Sequence, residues 1–220
     1  MTEHSHPELA TERLDYLRDQ LLEREVPGDP YALFGTWLAD AFAAKQAGVL
    51  PEPTAMVVAT VSEGRPSSRT VLLKEVDPAG GFVFFTSYRS RKGVEIAVDP
   101  YVALLFGWYP LQRQVRVEGT AAAVPRGESQ AYFATRPRGS QLGAWASQQS
   151  SPTSQDGLQA SYRAAEDRFT GVEVPCPEHW GGYRVTPTMI EFWQGRPNRM
   201  HDRLVFARDA DHWSLGRLAP

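Results

Sequence analysis

Positive charge is concentrated in two short stretches of this sequence. Arg69 and Lys74 bracket a strand-like run, and a serine-rich turn carries Arg89, Arg91 and Lys92 just before a predicted helix. Arg69 and Lys74 alone are typical of solvated strand-end charge, but the second stretch adds guanidinium groups, hydroxyls and helix-start N–H groups, which together favour phosphate binding. Because strand side chains alternate between faces, Arg69 and Lys74 are expected on opposite faces unless a bulge intervenes, and to bind two different anions.

The elements that carry these charges are predicted to be strands of an antiparallel sheet. Runs rich in β-branched and aromatic residues are broken by Gly, Pro and Asp, which is typical of short strands. They occupy residues 56–61, 69–74, 82–86, 102–106, 112–118, 120–124, 182–186, 190–194, 203–207 and 213–218. The run at 112–118 alternates polar and mostly apolar residues, which indicates a sheet with one buried face.

Helices are predicted around and between these strands. They occupy residues 9–25, 30–47, 93–98, 126–135 and 154–169. The polar stretch 136–155 is predicted to be a long functional loop, because structureless segments of this length are usually functional or disordered. Residues 1–8 are predicted to be a disordered tail. No internal repeat or good linker is present, so residues 9–220 are predicted to form a single domain.

Composition and charge exclude several classes of protein. The chain has 220 residues, 42% of them hydrophobic, and its net charge of -3 argues against a general nucleic-acid binder. A single cysteine, Cys176, excludes an internal disulfide and a cysteine-based zinc site, and no metal is expected. The sequence has no signal-peptide pattern and no apolar run of about 18 residues. We therefore expect a soluble, cytoplasmic protein with no membrane segment.

Common nucleotide and hydrolase motifs are absent from the sequence. There is no Gly-x-Gly-x-x-Gly after a strand, no Gly-x-x-x-x-Gly-Lys-Ser/Thr and no Gly-x-Ser-x-Gly. Neither a Rossmann domain, a P-loop nor a nucleophile elbow is therefore predicted. A sheet with basic turns and a tryptophan-bearing strand would suit flavin mononucleotide (FMN), which composition alone does not establish.

Short motifs along the chain form a specific combination by their order and spacing. They are Arg69-Thr-Val-Leu-Leu-Lys74, Ser90-Arg-Lys92, Arg113-Gln-Val115, Tyr132 to Gln141, Ser147 to Ser151, Trp180-Gly-Gly182, Glu191 to Gly195 and Arg199 to Arg203. With them the chain, from about Arg13 to Pro220, resembles the pyridoxine/pyridoxamine 5'-phosphate oxidases, flavin enzymes that make pyridoxal 5'-phosphate. One departure is Asp19-Gln20, where the family often has two glycines; it predicts a more helical N-terminal segment.

The resemblance implies an α+β fold, an antiparallel, Greek-key-like FMN-binding split β-barrel with flanking helices. It also implies a homodimer with the flavin at the subunit interface. By resemblance, the residues at the cofactor are Arg69, Thr70, Val71, Leu72, Leu73, Lys74, Phe85, Thr86, Arg91, Lys92, Gln114, Gln149, Ser150, Trp193 and Arg203. Among these, Gln114, Trp193 and Arg203 are expected near the flavin ring, some of them reaching across from the partner subunit.

The resemblance also implies the substrate site and the reaction. The substrate's phosphate is expected to contact Lys74, Tyr132, Arg136 and Ser140. Arg199 and His201, the candidate catalytic residues, are expected to flank the pyridine ring, and Arg13 and Tyr16 to close over it. The implied reaction converts pyridoxine or pyridoxamine 5'-phosphate to pyridoxal 5'-phosphate, with O2 as acceptor and hydrogen peroxide as product, in vitamin B6 metabolism. His201 could accept a proton or have a purely positional role.

Two other functions stay open at this point. The related flavin oxidase of phenazine biosynthesis shares the fold and the Arg-x-His ending, although its precursor would not need the phosphate-binding residues Lys74, Tyr132 and Arg136. The other alternative is a carrier or sensor that binds FMN or pyridoxal phosphate without turnover. The presence of every expected ring-flanking residue argues against it.

Overall fold

Antiparallel strands form the frame of the molecule. The computed structural model describes Tyr16 and residues 20–77, 81–210 and 212–220. In these residues the strands are β1 Ala55–Ser62, β2 Arg65–Leu72, β3 Glu75–Asp77, β4 Gly81–Ser87, β5 Tyr101–Trp108, β6 Arg113–Ala123, β7 Trp180–Gln194, β8 Asp202–Asp209 and β9 His212–Arg217. They pair in the order β2-β1-β5-β6-β7-β4-β3, with β8 on β7 and β9 on β8. The predicted antiparallel sheet is confirmed.

Strand β7 joins the two parts of the sheet. One of its edges pairs with β6, while the other pairs first with β4 over Trp180–Val185 and then with β8 over Met189–Gln194. The prediction of two separate strands here was wrong. Pro187 lies opposite a register shift at Glu118/Gly119 of β6, and a bulge tolerates a residue without an N–H, so β7 continues through it.

Five α-helices flank the sheet in the described part of the chain. They are α1 Pro30–Gln46, α2 Arg91–Val98, α3 Arg126–Thr135, α4 Arg138–Ala146 and α5 Gln155–Arg168. Local caps begin three of them: Asp29, Ser90 and Ser154 each accept a hydrogen bond from a backbone N–H of the first turn. None of these helices is long and apolar enough to cross a membrane.

Two predictions about helices were wrong. The predicted loop 136–155 contains α4, which is anchored by buried Leu142. The predicted helix 9–25 is not formed over residues 20–25, the end of it that the structure describes, where only Glu23–Glu25 forms a short 3-10 turn. There, the Leu21 N–H donates to Asp202 Oδ2 at 3.1 Å and its carbonyl accepts from Arg217 Nη2 at 2.6 Å, so tertiary contacts use the backbone groups. The predicted tail 1–8 lies outside the described residues.

Two hydrophobic cores hold these elements together. In the main core, Phe34 of α1 packs edge-on against Phe82 and Phe106, each at 5.0 Å between ring centroids. The second core lies under α3, α4 and α5 at the start of β7, and comprises Phe133, Leu142, Ala165, Phe169, Val174 and Trp180. Because α3, α4 and the first residue of β7 share this core, the ends of all three are fixed relative to one another.

Candidate functional site

A cleft of about 810 Å³ lies between β2, β4, the start of α2 and the second core. We call it the basic cleft. It is lined by Ser67, Ser68, Arg69, Thr70, Val71, Leu72, Lys74, Phe85, Thr86, Arg91, Lys92, Tyr132, Thr135, Arg136, Pro137, Ser140, Gln149, Ser150 and Trp180. Its volume lies within the range of roughly 300–1,000 Å³ that is typical of small-molecule sites. Its five lining cations predict an anionic ligand.

One side of the basic cleft is an ionic network around the buried carboxylate of Glu95. Arg69 Nη2 donates to Glu95 Oε2 at 3.1 Å, and Arg91 Nε donates to Oε1 at 2.7 Å. The hydroxyls of Thr60 and Ser67 donate to Oε2 at 2.5 and 2.9 Å. Burial acts to raise the pKa of Glu95, but these hydrogen bonds outweigh it and lower the pKa to about 2. The carboxylate is therefore ionised at neutral pH and fixes both guanidinium groups.

Lys92 places a buried ammonium group in the same part of the basic cleft. Its Nζ donates to Thr86 Oγ1 at 2.9 Å, Ser90 Oγ at 3.0 Å and Gln149 Oε1 at 2.7 Å. These three acceptors match its three N–H groups and fix its position. Burial and the neighbouring charge of Arg69 lower the pKa of Lys92 to about 8. An anion bound beside it would favour its charged form.

The start of α2 is held against the loop that carries Ser150. Ser90 Oγ caps the helix by accepting from Gly93 N at 3.3 Å. The N–H of Arg91, the first residue of α2, donates to Ser150 Oγ at 3.1 Å. Ser150 has a φ of 73°, a left-handed conformation that is strained for a non-glycine residue and is often found at ligand sites.

A second set of lining residues comes from α3, α4 and β7. The Arg136 guanidinium carbon lies 4.6 Å from the ring centroid of Trp180 and 5.5 Å from that of Phe133. Trp180 stacks in turn with Tyr132 and Phe85, at interplanar angles of 7° and 14°. Arg136 Nη1 is buried and has no hydrogen-bond partner within the described residues. Because an unpaired buried donor is costly, this nitrogen is suited to an anionic ligand.

The prediction that Arg69 and Lys74 lie on opposite faces assumed that both belong to one strand, and they do not. Strand β2 ends at Leu72, Leu73 is buried in the main core, and Lys74 N already bonds to Val83 O of β4 at 2.8 Å. Arg69 thus lies on β2, which pairs with β1, whereas the backbone of Lys74 pairs with β4, so alternation along one strand does not apply to them. Both line the basic cleft. Their binding of two different anions stays a prediction.

Three rings form an aromatic cluster outside the lining of the basic cleft. Tyr16 makes edge-on contacts with Trp193 at 5.8 Å and with His201 at 5.4 Å, and Trp193 lies 4.6 Å from His201. A Cβ atom on Gly195 would lie 2.5 Å from the Tyr16 ring, so this glycine permits the ring to approach the backbone. The structure thus brings Tyr16 to His201, and the closure of Tyr16 over a bound substrate stays a prediction.

The hydrogen bonding of His201 fixes the role of its two ring nitrogens. Nδ1 accepts the backbone N–H of Arg196 at 3.1 Å, so we assign the proton of the neutral ring to Nε2. Burial and Arg199 lower the pKa of His201, and Asp202 acts against them. At neutral pH the ring is therefore neutral and presents an N–H donor at Nε2.

Arg203 is held beside the aromatic cluster by a buried carboxylate. Its Nε and Nη2 donate to Glu191 Oε1 and Oε2 at 2.8 and 3.1 Å, and Nη1 donates to Ala219 O at 2.9 Å. Trp193 pairs with Arg203 on β8 and with Gln114 on β6, so these three predicted residues share one region of sheet. All three guanidinium nitrogens of Arg203 are engaged within the chain.

The predicted site residues thus divide between two regions. In the basic cleft lie Arg69, Thr70, Val71, Leu72, Lys74, Phe85, Thr86, Arg91, Lys92, Tyr132, Arg136, Ser140, Gln149 and Ser150. Outside its lining lie Tyr16, Gln114, Trp193, Arg199, His201 and Arg203. Leu73 belongs to the main core instead, and Arg13 lies outside the described residues.

Sequence reasoning missed Glu95 and Trp180 as parts of the site. Glu95 follows Arg91 by four positions on a helix, and the preference of opposite charges for this spacing could have indicated their contact. Trp180 belongs to a quoted motif, but nothing local indicated that its ring would lie under Arg136. That contact depends on the second core.

Comparison with known proteins assigns the family. The sequence model of the family "Pyridoxamine 5'-phosphate oxidase" matches residues 42–170. A second model, "Pyridoxine 5'-phosphate oxidase C-terminal dimerisation region", matches residues 180–220. The second match contains β7, β8 and β9 and therefore most of the residues around the aromatic cluster.

Individual relatives agree with this assignment. The chain is 54% identical to the pyridoxine/pyridoxamine 5'-phosphate oxidase of Thermosynechococcus vestitus, covering 96% of this chain and 99% of that one. It is 52% identical to the protein of the same name from Burkholderia lata, with coverage of 96% and 99%. Among solved structures, PhzG of Burkholderia lata in complex with tetrahydrophenazine-1-carboxylic acid superposes with a TM-score of 0.82 at 30% identity, covering 92% of this chain and 98% of that one. The chain therefore belongs to the pyridoxamine 5'-phosphate oxidase family of FMN-binding split β-barrel proteins.

Proposed function

We propose that this protein oxidises pyridoxine or pyridoxamine 5'-phosphate to pyridoxal 5'-phosphate, with O2 as electron acceptor and hydrogen peroxide as product. The observation that carries the proposal is that Arg136, which lines the basic cleft, has a buried Nη1 without a hydrogen-bond partner among the described residues. Lys74, Tyr132 and Ser140 line the same cleft and add an ammonium group and two hydroxyls. A dianionic phosphoester matches this set of donors.

The basic cleft also has a separate set of groups suited to the cofactor. Arg69, Arg91, Lys92, Gln149 and Ser150 are linked by the hydrogen bonds around Glu95 and Lys92, and we assign them to the phosphate and ribityl chain of FMN. The cleft is large enough for a small-molecule ligand, and its cations suit a phosphate, so the residues present fit the group. When bound, FMN supplies the hydride acceptor and the transfer of electrons to O2.

We assign the aromatic cluster to the site of a partner subunit in a homodimer. Trp193, His201 and Arg203 do not line the cleft of their own chain, and they lie in the part that matches the family's dimerisation region. A two-fold dimer would carry each cluster to the other chain's cleft, since its interface places the same residues in reciprocal positions. Each complete site would then take its phosphate groups from one chain and its ring-flanking groups from the other.

In this arrangement the ring-flanking residues act by position and charge. His201 offers a hydrogen bond from Nε2 to an oxygen of the substrate ring, because its Nδ1 is already an acceptor for Arg196 N. We therefore assign it a donor role rather than removal of a proton. Arg199 is exposed at the end of a short 3-10 turn and adds positive charge that stabilises negative charge developing on the ligands.

An anaerobic titration tests the proposed reaction. Pyridoxamine 5'-phosphate added to the purified yellow protein should bleach the flavin absorption band, and air should restore it with release of hydrogen peroxide. Unphosphorylated pyridoxamine at the same concentration should bleach it far more slowly. Tight binding of the phosphorylated compound without bleaching would instead indicate a carrier or sensor.

A phenazine-type oxidase is the second candidate, because the chain superposes on PhzG over most of its length. The Burkholderia lata comparisons support the first proposal: identity is 52% to that organism's pyridoxine/pyridoxamine 5'-phosphate oxidase and 30% to its PhzG. The same anaerobic titration with tetrahydrophenazine-1-carboxylic acid separates the two. Bleaching by this compound and not by pyridoxamine 5'-phosphate would favour the phenazine reaction.

A further inference from the structure

We propose that Glu95 is a positioning residue for the cofactor: it holds the guanidinium groups of Arg69 and Arg91 in the orientation in which they receive the phosphate of FMN. This inference rests on the part of the proposed function that assigns these two arginines to the cofactor. The side chain of Glu95 is 5% exposed and lies behind both arginines, in a place where a carboxylate is itself costly to bury.

The contacts of Arg69 show how completely Glu95 and its neighbours fix this side chain. Nη1 donates to Val58 O at 3.3 Å and to Thr60 Oγ1 at 2.6 Å. Nη2 donates to Ser67 Oγ at 2.6 Å and to Glu95 Oε2 at 3.1 Å. Four of the five N–H groups of the guanidinium are thus directed into the protein. The group supplies charge at a fixed place, and Nε is the donor outside this network.

Arg91 is held in a different way, by one contact at its base. Its side chain is 63% exposed, and its Nε donates to Glu95 Oε1 at 2.7 Å. The two terminal nitrogens carry four further N–H groups and can form a planar, bidentate contact with a phosphate. Without Glu95, this exposed side chain would have to be ordered by the ligand, which weakens binding.

The charge around Glu95 also suits a phosphate monoester. Arg69, Arg91 and Lys92 carry three positive charges, and the carboxylate leaves two of them uncompensated. A phosphate monoester carries close to two negative charges at neutral pH. Glu95 thus has two opposite effects on FMN: it repels the phosphate, and it orients the donors that bind it. The sign of the effect of its removal shows which one dominates.

The test compares binding of FMN and riboflavin to the flavin-free full-length Glu95→Gln protein, by quenching of flavin fluorescence. Glu95 accepts from Arg69 and Arg91 with different oxygens, and a glutamine amide replaces one of these oxygens by an NH2 donor, so one arginine loses its acceptor. We expect the Kd for FMN to rise about tenfold, as for one side chain that the ligand must now order, with the Kd for riboflavin unchanged. Equal loss for both flavins would assign Glu95 to the fold alone. Tighter FMN binding would make it a counter-charge only, and either result overturns the proposal.

Two further variants keep this test decisive. Arg91→Lys preserves the charge but lacks the Nε contact, so it should cause a selective loss of FMN affinity, and adding Glu95→Gln to it should add only the loss that acts through Arg69. If Glu95→Gln does not fold, Arg91→Lys still decides, because unchanged FMN affinity in that variant would overturn the proposal. Glu118→Gln, which breaks an exposed ion pair with Arg116 on β6, is the matched control and should affect neither flavin. Because the readout is flavin binding, its outcome is independent of which substrate bleaches the wild-type flavin.

Discussion

Arg203, beside the aromatic cluster, and Arg136, in the basic cleft, are held in opposite ways. In the aromatic cluster, Arg203 directs Nε, Nη1 and Nη2 to Glu191 and Ala219 of its own chain. In the basic cleft, Arg136 rests on the ring of Trp180, and its buried Nη1 has no hydrogen-bond partner among the described residues. Arg203 thus uses its donors on its own chain, whereas Arg136, held by rings, keeps Nη1 for a ligand.

The two regions also differ in what each lacks. The basic cleft has hydroxyls and five cations but none of the rings of the aromatic cluster in its lining. The aromatic cluster has rings and an imidazole donor, and Arg203 beside it is already paired with Glu191. Neither region alone has both the phosphate-binding cations and the predicted ring-flanking residues, which is why we assign them to the same site across a dimer interface. The following predictions test this division, from the largest expected effect to the smallest.

Hybrid dimers test the division most directly. One chain would carry Lys74→Ala with Arg136→Ala, and the other Arg199→Ala with His201→Ala; each alone should be nearly inactive. Random pairing of equal amounts makes half of the dimers hybrids, each with one intact site, so about a quarter of wild-type activity should return. Activity of the mixture, measured as peroxide release, checks this. No recovery would mean that both regions act within one chain.

Replacing Arg136 should show whether it binds the phosphate of the substrate or that of FMN. Hydrogen bonds to charged groups contribute roughly 1.5–3 kcal/mol each, so Arg136→Ala should lower kcat/KM for phosphorylated pyridoxine about ten- to a hundredfold. Unphosphorylated pyridoxine should be unaffected, and bound flavin should stay near wild type. Arg163→Ala, at an exposed position of α5, is the matched control. Loss of flavin instead would mean that the two phosphate assignments are exchanged.

The pH dependence of FMN binding should report on Lys92. Its pKa in the flavin-free protein is lowered to about 8, so below that pH the amine is charged whether or not FMN is bound. Above it, binding of the phosphate must take up a proton, and FMN affinity should fall by up to about tenfold per pH unit. Fluorescence titrations from pH 7 to 9.5 measure the slope. Riboflavin affinity should not depend on pH in this way, and Lys92→Arg should abolish the pH dependence for FMN. The same pH dependence for both flavins would mean that another group titrates.

Changes at Tyr16 should have the smallest effect and should act on the substrate alone. An aromatic contact contributes about 0.5–1.5 kcal/mol, so Tyr16→Ala should raise KM for the phosphorylated substrate roughly two- to tenfold, with flavin content unchanged. Gly195→Ala should have the same effect, because its Cβ would displace the Tyr16 ring. Steady-state kinetics with each variant measure it. Loss of flavin in either one would place Tyr16 at the cofactor.

Several elements were predictable because their signals are local. The predicted helix 126–135 coincides with α3, and the caps Asp29 and Ser154 mark the starts of α1 and α5, since a cap bonds only to the next few residues. Helix α4 was not predictable in this way: it contains two glycines, has no side-chain cap, and buries only Leu142. The prediction of a helix at Leu21 was wrong because the backbone of this residue bonds to Asp202 and Arg217, about 180 and 200 residues away along the chain.

The sequence by itself determined the residue types of the site, the antiparallel sheet and the family resemblance. Only the tertiary structure decided that Arg69 and Lys74 share one cleft, that Glu95 joins Arg69 to Arg91, and that Arg136 lies over the Trp180 ring with an Nη1 that is unpaired among the described residues. It also decided that Trp193 and His201 lie apart from that cleft. The physical reason is that strand pairing and core packing bring together residues that are distant in the chain, whereas spacing along the sequence controls only neighbours within one turn or one strand.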